Sequence, residues 1–204
     1  MQKTYAPKQT ITEIGTVRRY FACYCQYSSR YDKFKEGVVL NAFLPKLSNG
    51  STMDIGVYTI YPMVTLFGKP KEIYATGYRL SSGVDGQATV NFSYDNGMVA
   101  TVLYGKITDS TLPTEIQGEE GTIKLDRINI ISEATLIRRK GNAENIRPET
   151  NHNEYFYEVA EFIDIIQSGG KESPVNSLKN SLITMEIIDE IRKQLGVVFP
   201  ADNI

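Results

Sequence analysis

Six short segments between residues 72 and 139 constrain the fold of this chain more than any other feature of its sequence. Each segment is continuously apolar or alternates apolar with polar residues, and residues typical of turns separate it from the next. Asn96-Gly97 marks the clearest turn, because this dipeptide readily takes the positive φ angles of a tight hairpin. The predicted strands are 72–80, 87–94, 98–107, 114–118, 122–125 and 134–139. Short connections make neighbours antiparallel, so the segments predict an open meander sheet of about six strands.

Two amphipathic segments that follow the strands predict helices. Residues 153–168 and 177–195 repeat apolar side chains at helical spacing, and glycines end both segments. Strands followed by helices give an α+β architecture, in which an open, mostly antiparallel sheet has helices packed on one face. A chain of 204 residues can bury enough surface for one core without a metal or a disulfide, so residues 1–204 are predicted to be a single domain.

The residues before the six segments predict a short helix, a strand and a loop. Residues 7–14 begin with a proline and are followed by a glycine, as a short helix often is, and residues 17–27 are rich in the β-branched, aromatic and small residues of a long strand. Residues 28–50 show no clear period. They are predicted to form a long loop, and long loops in compact domains are usually functional.

A helix is predicted to begin at Ser51, because Ser51-x-x-Asp54 before an apolar run is typical of a capping box, and to end at Gly68. Asp54, Tyr58 and Tyr61 are spaced i, i+4 and i+7, so they share one face of that helix. A phenol there could give a proton or a hydrogen bond to a developing oxyanion, while the carboxylate orients a neighbour. Spacing alone leaves a second interpretation open, in which Asp54 only caps the helix and Tyr58 is a core residue with its hydroxyl at the rim.

Composition and motifs exclude several classes of function. The 22 Lys and Arg against 24 Asp and Glu give a formal net charge of -2, and no run of basic residues is longer than Arg138-Arg139-Lys140, so no nucleic-acid partner is expected. Cys23, Cys25 and the distant His152 are too few for a structural zinc site, so no metal is expected and the cysteines are predicted to be a buried thiol pair. No apolar run could cross a membrane and no hydrophobic signal core follows Met1, so a cytoplasmic location is expected.

An ordered series of motifs resembles the C-terminal domain of the Gfo/Idh/MocA oxidoreductases, named after glucose-fructose oxidoreductase and inositol dehydrogenase. The segment N-G-S-T-M-D-I-G-V-Y at 49–58 is similar to the family pattern G-G-G-x-x-x-D-x-G-x-[YH]. Further similar segments are E-I-G-T-V at 13–17, L-F-G-K-P at 66–70, S-G-V-D at 82–85, Y-D-N-G at 94–97, I-Q-G-E-E-G-T-I at 116–123 and I-R-K-Q-L-G-V-V-F-P at 191–200. Nearly all of the chain falls within the resemblance, which is strongest to the branch of the dimeric dihydrodiol dehydrogenases.

The resemblance implies an NAD(P)-dependent oxidoreductase acting on a sugar, a polyol or a related diol. Carried over onto this sequence, Tyr58 is the proton donor or relay at the reacting carbonyl oxygen, and Asp54 orients the substrate or a partner side chain. Arg30 and Tyr31, which follow the first strand, and Tyr61 are then candidates for binding a small polyhydroxylated substrate. A surface Arg30 in a salt bridge and a Tyr31 that only packs remain the alternative.

The resemblance also implies an N-terminal Rossmann domain that holds NAD or NADP, and no G-x-G-x-x-G motif for such a domain occurs here. Residues 1–15 are expected to be a remnant of the helix between the two domains, no cofactor is expected to bind this chain alone, and the isolated chain is expected to be inactive. A homodimer through the open sheet is expected. A non-catalytic module that associates through that sheet, or a sugar-binding domain without redox chemistry, stays open as an alternative.

Overall fold

The computed structural model of the chain describes residues 10–148 and 154–203. Eight strands among these residues form one open sheet in the spatial order 2-3-4-1-5-6-7-8. In chain order the strands are β1 Val17–Cys25, β2 Glu72–Arg79, β3 Asp85–Ser93, β4 Val99–Gly105, β5 Thr114–Gly118, β6 Gly121–Leu125, β7 Ala134–Arg138 and β8 Ala143–Asn145. The predicted α+β class and the open sheet are confirmed.

The sheet differs from the predicted meander in strand number and in order. Strand β1 lies in its middle, parallel to β4 and antiparallel to β5, so the hairpins β2-β3-β4 and β5-β6-β7-β8 lie on either side of it. The other described pairs are antiparallel. Strand β8 is exposed along its length and pairs only with β7, so it carries no apolar alternation by which it could be predicted.

Four α-helices of the described chain are α1 Ser29–Lys35, α2 Val57–Phe67, α3 Glu154–Gln167 and α4 Leu178–Leu195. Helix α1 corrects the prediction that residues 28–50 are a loop. The Ser28 side chain caps its first turn by accepting a hydrogen bond from the N–H of Arg30. No residue of α1 is fully buried, and a helix of seven residues, in which only Tyr31 and Phe34 pack against Phe43, is too short to show a clear apolar period in the sequence.

The core lies between the sheet and one pair of helices. Helices α2 and α4 cover the same face, where Ile60 and Met63 meet Ile188 and Ile191 above the sheet residue Val102. The face on the other side of the sheet carries no helix from this pair, and we call it the open face. The predicted cover by α4 is therefore present, and its neighbour on the sheet is α2 and not the predicted segment 153–168.

Helix α3 does not cover the sheet as predicted. Its amphipathic pattern does form a helix, but Val159, Phe162 and Ile166 on its apolar stripe are between half and two-thirds exposed. Periodicity identifies an apolar face without identifying what the face packs against, which is why the helix is predictable and its position is not.

Cys23 and Cys25 share the open face of the sheet, and the prediction that both thiols are buried is wrong for Cys25. The Sγ atoms of Cys23 and Cys25 are 3.9 Å apart, Cys23 is buried, and Cys25 is half-buried beside a groove of about 540 Å³. Hydrogen bonding from Cys25 lowers the pKa of the Cys23 thiol to about 6, while the same contact raises the pKa of Cys25. The described residues contain no group of three or more histidine, cysteine or acidic side chains placed to hold a metal ion.

Two further predictions fall at the margins of the described chain. For the helix predicted at 7–14, the described residues show a 3-10 turn at Ile11–Ile14. Residues 1–9 and His152 lie outside the described residues. Within residues 10–148 and 154–203, none of the helices combines the length and the apolar character that crossing a membrane would require.

Candidate active site

The helix that carries the predicted site begins in an unusual way. Residues Thr52–Gly56 form a π-helical turn that runs directly into α2, and turns of this kind often occur at functional sites. The predicted capping box is wrong, because Ser51 has helical φ and ψ angles and its side chain makes no capping bond. Asp54 therefore lies inside the turn, where its carboxylate is not used as a cap.

The carboxylate of Asp85, at the start of β3, accepts hydrogen bonds from the first turn of this helix. Its Oδ2 accepts one bond from the N–H of Thr52 at 2.7 Å and another from the Thr52 hydroxyl at 2.8 Å. The Thr52 hydroxyl also lies 3.0 Å from the buried hydroxyl of Tyr104. Gly56 allows this approach, since a Cβ there would lie 3.2 Å from the Tyr104 ring. The π turn is thus fastened to the sheet through Thr52.

Burial raises the pKa of Asp85, and the bonds from Thr52 only partly oppose that shift. A carboxyl whose pKa is higher in the folded state than in the unfolded state favours folding at low pH. That favourable contribution is lost as the pH rises through the folded pKa, because the buried group must then ionise.

We expect Asp85→Asn to stabilise the chain more at pH 8 than at pH 4, relative to the parent at each pH. The asparagine carbonyl oxygen can accept both bonds from Thr52 and never ionises. Urea unfolding of both proteins at the two pH values measures the difference, and Asp95→Asn in the exposed hairpin turn is the matched control. A difference that shrinks as the pH rises would contradict the assignment.

Lys106 is a residue of the site that is absent from the predicted set. Its side chain is 4% exposed, and its ammonium forms an ion pair and hydrogen bond with Oδ2 of Asp54. The ammonium also lies 3.4 Å from the carbonyl oxygen of Ala42 and 5.4 Å from the centre of the Phe43 ring. A signal for it exists in the sequence: Lys106 continues the alternation of Ala100, Val102 and Tyr104, which places a charge on the buried face of a strand.

Tyr58 lies at the surface beside this ion pair. Its side chain is 48% exposed, and its ring meets the ring of Tyr24 edge to face with centroids 5.4 Å apart. Tyr24 is a second residue absent from the predicted set. Its hydroxyl donates to Oε1 of Gln26 at 3.0 Å, and its pKa is raised by partial burial and then by the neighbouring Tyr58 and Asp54. The phenols of Tyr24 and Tyr58 and the carboxylate of Asp54 therefore lie near one another.

Within the described residues the other predicted side chains are not bonded to this group, although Tyr31 contacts Phe43, the ring that lies under the Lys106 ammonium. Arg30 is exposed on α1, and Tyr31 packs in an aromatic cluster, its ring centroid 5.9 Å from that of Phe34 and 5.8 Å from that of Phe43. The Tyr61 hydroxyl is buried and has no hydrogen-bond partner within the described part of the chain. Among the described residues, no hydrogen bond or ring contact joins these three side chains to Tyr58, so their roles stay predictions.

The chain is similar in sequence to known dehydrogenases. A family model described as the GFO/IDH/MocA C-terminal domain matches residues 11–124. The scyllo-inositol 2-dehydrogenase (NADP(+)) IolU of Bacillus subtilis is 51% identical over 208 residues, which are 100% of this chain and 63% of that protein. The trans-1,2-dihydrobenzene-1,2-diol dehydrogenase of Oryctolagus cuniculus is 27% identical over 165 residues, which are 76% of this chain and 50% of that protein.

A solved structure of similar fold is the aldose-aldose oxidoreductase from Caulobacter crescentus complexed with glycerol. It superposes with a TM-score of 0.75 at 16% identity, over 91% of this chain and 55% of that one. At this identity the likeness shows the fold alone. The chain spans between half and two-thirds of the length of each of these three proteins.

Proposed function

This chain is a C-terminal domain of the GFO/IDH/MocA oxidoreductase family, and from that premise we propose that it forms the substrate site of an NAD(P)-dependent oxidoreductase acting on a sugar, a polyol or a diol. The half-exposed Tyr58 beside the carboxylate of Asp54 carries the proposal. The extent of the identity with a scyllo-inositol dehydrogenase favours an inositol as the substrate.

Tyr58 is proposed as the acid-base residue. When an alcohol is oxidised, its hydroxyl proton must leave as the C–H hydride is removed. A tyrosine within hydrogen-bond reach can accept that proton as phenolate, or can relay it as phenol by passing its own proton to solvent. In reduction the same hydroxyl donates a proton to the carbonyl oxygen. Asp54 has one oxygen bonded to Lys106, and its other oxygen can accept a bond from a second substrate hydroxyl, which orients the reacting carbon.

NAD or NADP supplies the hydride acceptor or donor when it is bound. The described residues do not fit a dinucleotide, because the β1–α1 connection has no G-x-G-x-x-G sequence and the strands beside the site are not joined as β-α-β units. We propose that dinucleotide binding belongs to the part of the relatives that this chain does not match. The 204 residues alone are then inactive.

The proposal is tested by assaying NADP- and NAD-dependent oxidation of scyllo-inositol by the natural polypeptide that contains these residues, alongside the 204-residue chain. We expect reduced dinucleotide to form with the first protein and not with the second. Turnover by the 204-residue chain would overturn the division of roles. A polypeptide that binds dinucleotide yet oxidises no sugar, polyol or diol would overturn the proposed activity.

Association through the open face is proposed as a second role, compatible with the first. Tyr74 and Tyr78 on β2 are more than half exposed on this face, where no helix of the α2 and α4 pair covers them. Exposed aromatic rings on an uncovered sheet are typical of association surfaces. This is the expected homodimer, and it is also the surface that a non-catalytic association module would use.

We expect sedimentation of the 204-residue chain at micromolar concentration to give a dimer. The double variant Tyr74→Glu/Tyr78→Glu should shift it to a monomer, because two carboxylates would be desolvated at the interface. A double variant on α3, Val159→Glu/Phe162→Glu, is the matched control and should leave the dimer intact. A parent protein that sediments only as a monomer would contradict this role.

A further inference from the structure

Lys106 is a buried cation whose base is fixed by the sheet. Its backbone N–H donates to the carbonyl oxygen of Gly86 at 2.9 Å, and its own carbonyl oxygen accepts from the N–H of Ser28 at 2.9 Å. These bonds tie the residue to the start of β3 on one side and to the segment after β1 on the other. The position from which the side chain extends is therefore set by the sheet, and not by the helix that carries Asp54.

The ammonium has one strong acceptor. Burying an ammonium is costly unless it is paired, and the carboxylate of Asp54 supplies the pairing charge. The carbonyl oxygen of Ala42 and the face of the Phe43 ring occupy its remaining surroundings. Asp85 is the other carboxylate nearby, but its Oδ2 is taken by Thr52 and no hydrogen bond joins it to Lys106. The directional bond of Lys106 therefore goes to Asp54.

Asp54 is open to solvent on its other side. Its side chain is 54% exposed, and within the described part of the chain only Oδ2 has a hydrogen-bond partner. A carboxylate on an exposed helical turn would otherwise change rotamer freely. Because Oδ2 is held by a buried donor, Oδ1 has a defined position on the same helical segment as Tyr58.

We propose that Lys106 is the positioning residue of the active site. Its ammonium holds Asp54 in one orientation, and in that orientation the free Oδ1 accepts a hydrogen bond from a substrate hydroxyl. This hydroxyl is adjacent to the substrate hydroxyl that Tyr58 contacts. This inference rests on the proposed function and makes it more specific. The substrate that fits is an uncharged vicinal diol, since Lys106 already neutralises Asp54 and its ammonium is not available to bind an anionic group.

The experiment compares Lys106→Met, Asp54→Asn and the double variant in the natural polypeptide, with scyllo-inositol and saturating dinucleotide. Methionine fills the volume of the lysine stem, and apolar replacements of buried ion pairs are often tolerated. We expect each single variant to lower kcat/KM for the polyol by about 10- to 100-fold, the scale of one hydrogen bond to a charged group. The double variant should be no worse than Asp54→Asn, because both changes remove the same interaction.

Lys106→Arg keeps the charge and should recover part of the loss, while the KM for the dinucleotide should stay unchanged in all variants. If Lys106→Met does not fold, Lys106→Arg decides the question alone. It should lower kcat/KM when Asp54 is present and have no further effect in the Asp54→Asn background. Losses that multiply in the double variant, or a Lys106→Met protein with parental kcat/KM, would overturn the positioning role. A parent protein that oxidises no polyol would instead overturn the proposed function.

Discussion

Tyr58→Phe is expected to lower kcat for polyol oxidation in the natural polypeptide by about two to four orders of magnitude, which is the usual contribution of a positioned acid-base group. The substitution removes one oxygen atom and keeps the ring. The edge-to-face contact with Tyr24 and the half-exposed position therefore remain. Because the hydroxyl has no hydrogen-bond partner in the described part of the chain, its removal should not change the free energy of unfolding.

Steady-state kinetics with the parent and the variant measure this effect. Tyr74→Phe is the matched control, because it removes the same atom from an exposed tyrosine on the open face and should leave kcat unchanged. A Tyr58→Phe enzyme with activity within about threefold of the parent would contradict the acid-base assignment, since proton transfer normally contributes far more.

Phe43→Ala is expected to lower the free energy of unfolding by about 3–5 kcal/mol, the range for truncation of a buried aromatic side chain. Phe43 is fully buried and has ring contacts with Tyr31 and Phe34 of α1. The ammonium of Lys106 also lies over its ring. The truncation would remove the contact that joins α1 to the residues beneath the candidate site.

Urea unfolding of the 204-residue chain provides the measurement. Leu47→Ala is the control, because Leu47 lies nearby in sequence but is exposed, and its truncation should change the free energy of unfolding by less than about 0.5 kcal/mol. A loss of less than about 1 kcal/mol for Phe43→Ala would show that this ring is not part of a tightly packed core.

Local signals in the sequence predicted most of the elements. The Asn96-Gly97 turn and the alternation of β3 and β4 depend only on neighbouring residues, and the structure pairs these strands as predicted. The helical spacing that predicted α4 likewise reflects one buried stripe on that helix. Apolar periodicity predicts a helix or a strand correctly where a single face of that element is buried.

Long-range pairing could not be predicted from local signals. The sequence of β1 indicates a strand but does not indicate that β4 and β5 lie on either side of it, because parallel pairing with β4 joins residues far apart in the chain. The apolar stripe of α3 predicts a helix but does not predict the surface against which that helix packs. The π turn depends on Asp85 reaching Thr52 from another element, which no spacing within residues 51–68 could show.

The residues of the candidate site likewise fall into two groups, those that local sequence could predict and those that only the folded chain brings together. Asp54 and Tyr58 could be proposed from their spacing and from the resemblance to a family, since both lie on one helical segment. Tyr24 and Lys106 come from β1 and from the end of β4, so only the assembled sheet brings them to that segment. A lysine on the buried face of a predicted strand nevertheless indicates that an acidic partner lies nearby.

The position of the substrate can be measured directly by fluorine NMR of the natural polypeptide carrying 3-fluorotyrosine, titrated with scyllo-inositol in the presence of dinucleotide. Tyr→Phe variants assign the resonances of Tyr24, Tyr58, Tyr74 and Tyr78. If the polyol binds beside Asp54, the Tyr24 and Tyr58 resonances shift saturably, while those of Tyr74 and Tyr78 on the open face do not. Saturable shifts confined to Tyr74 and Tyr78 would contradict the account.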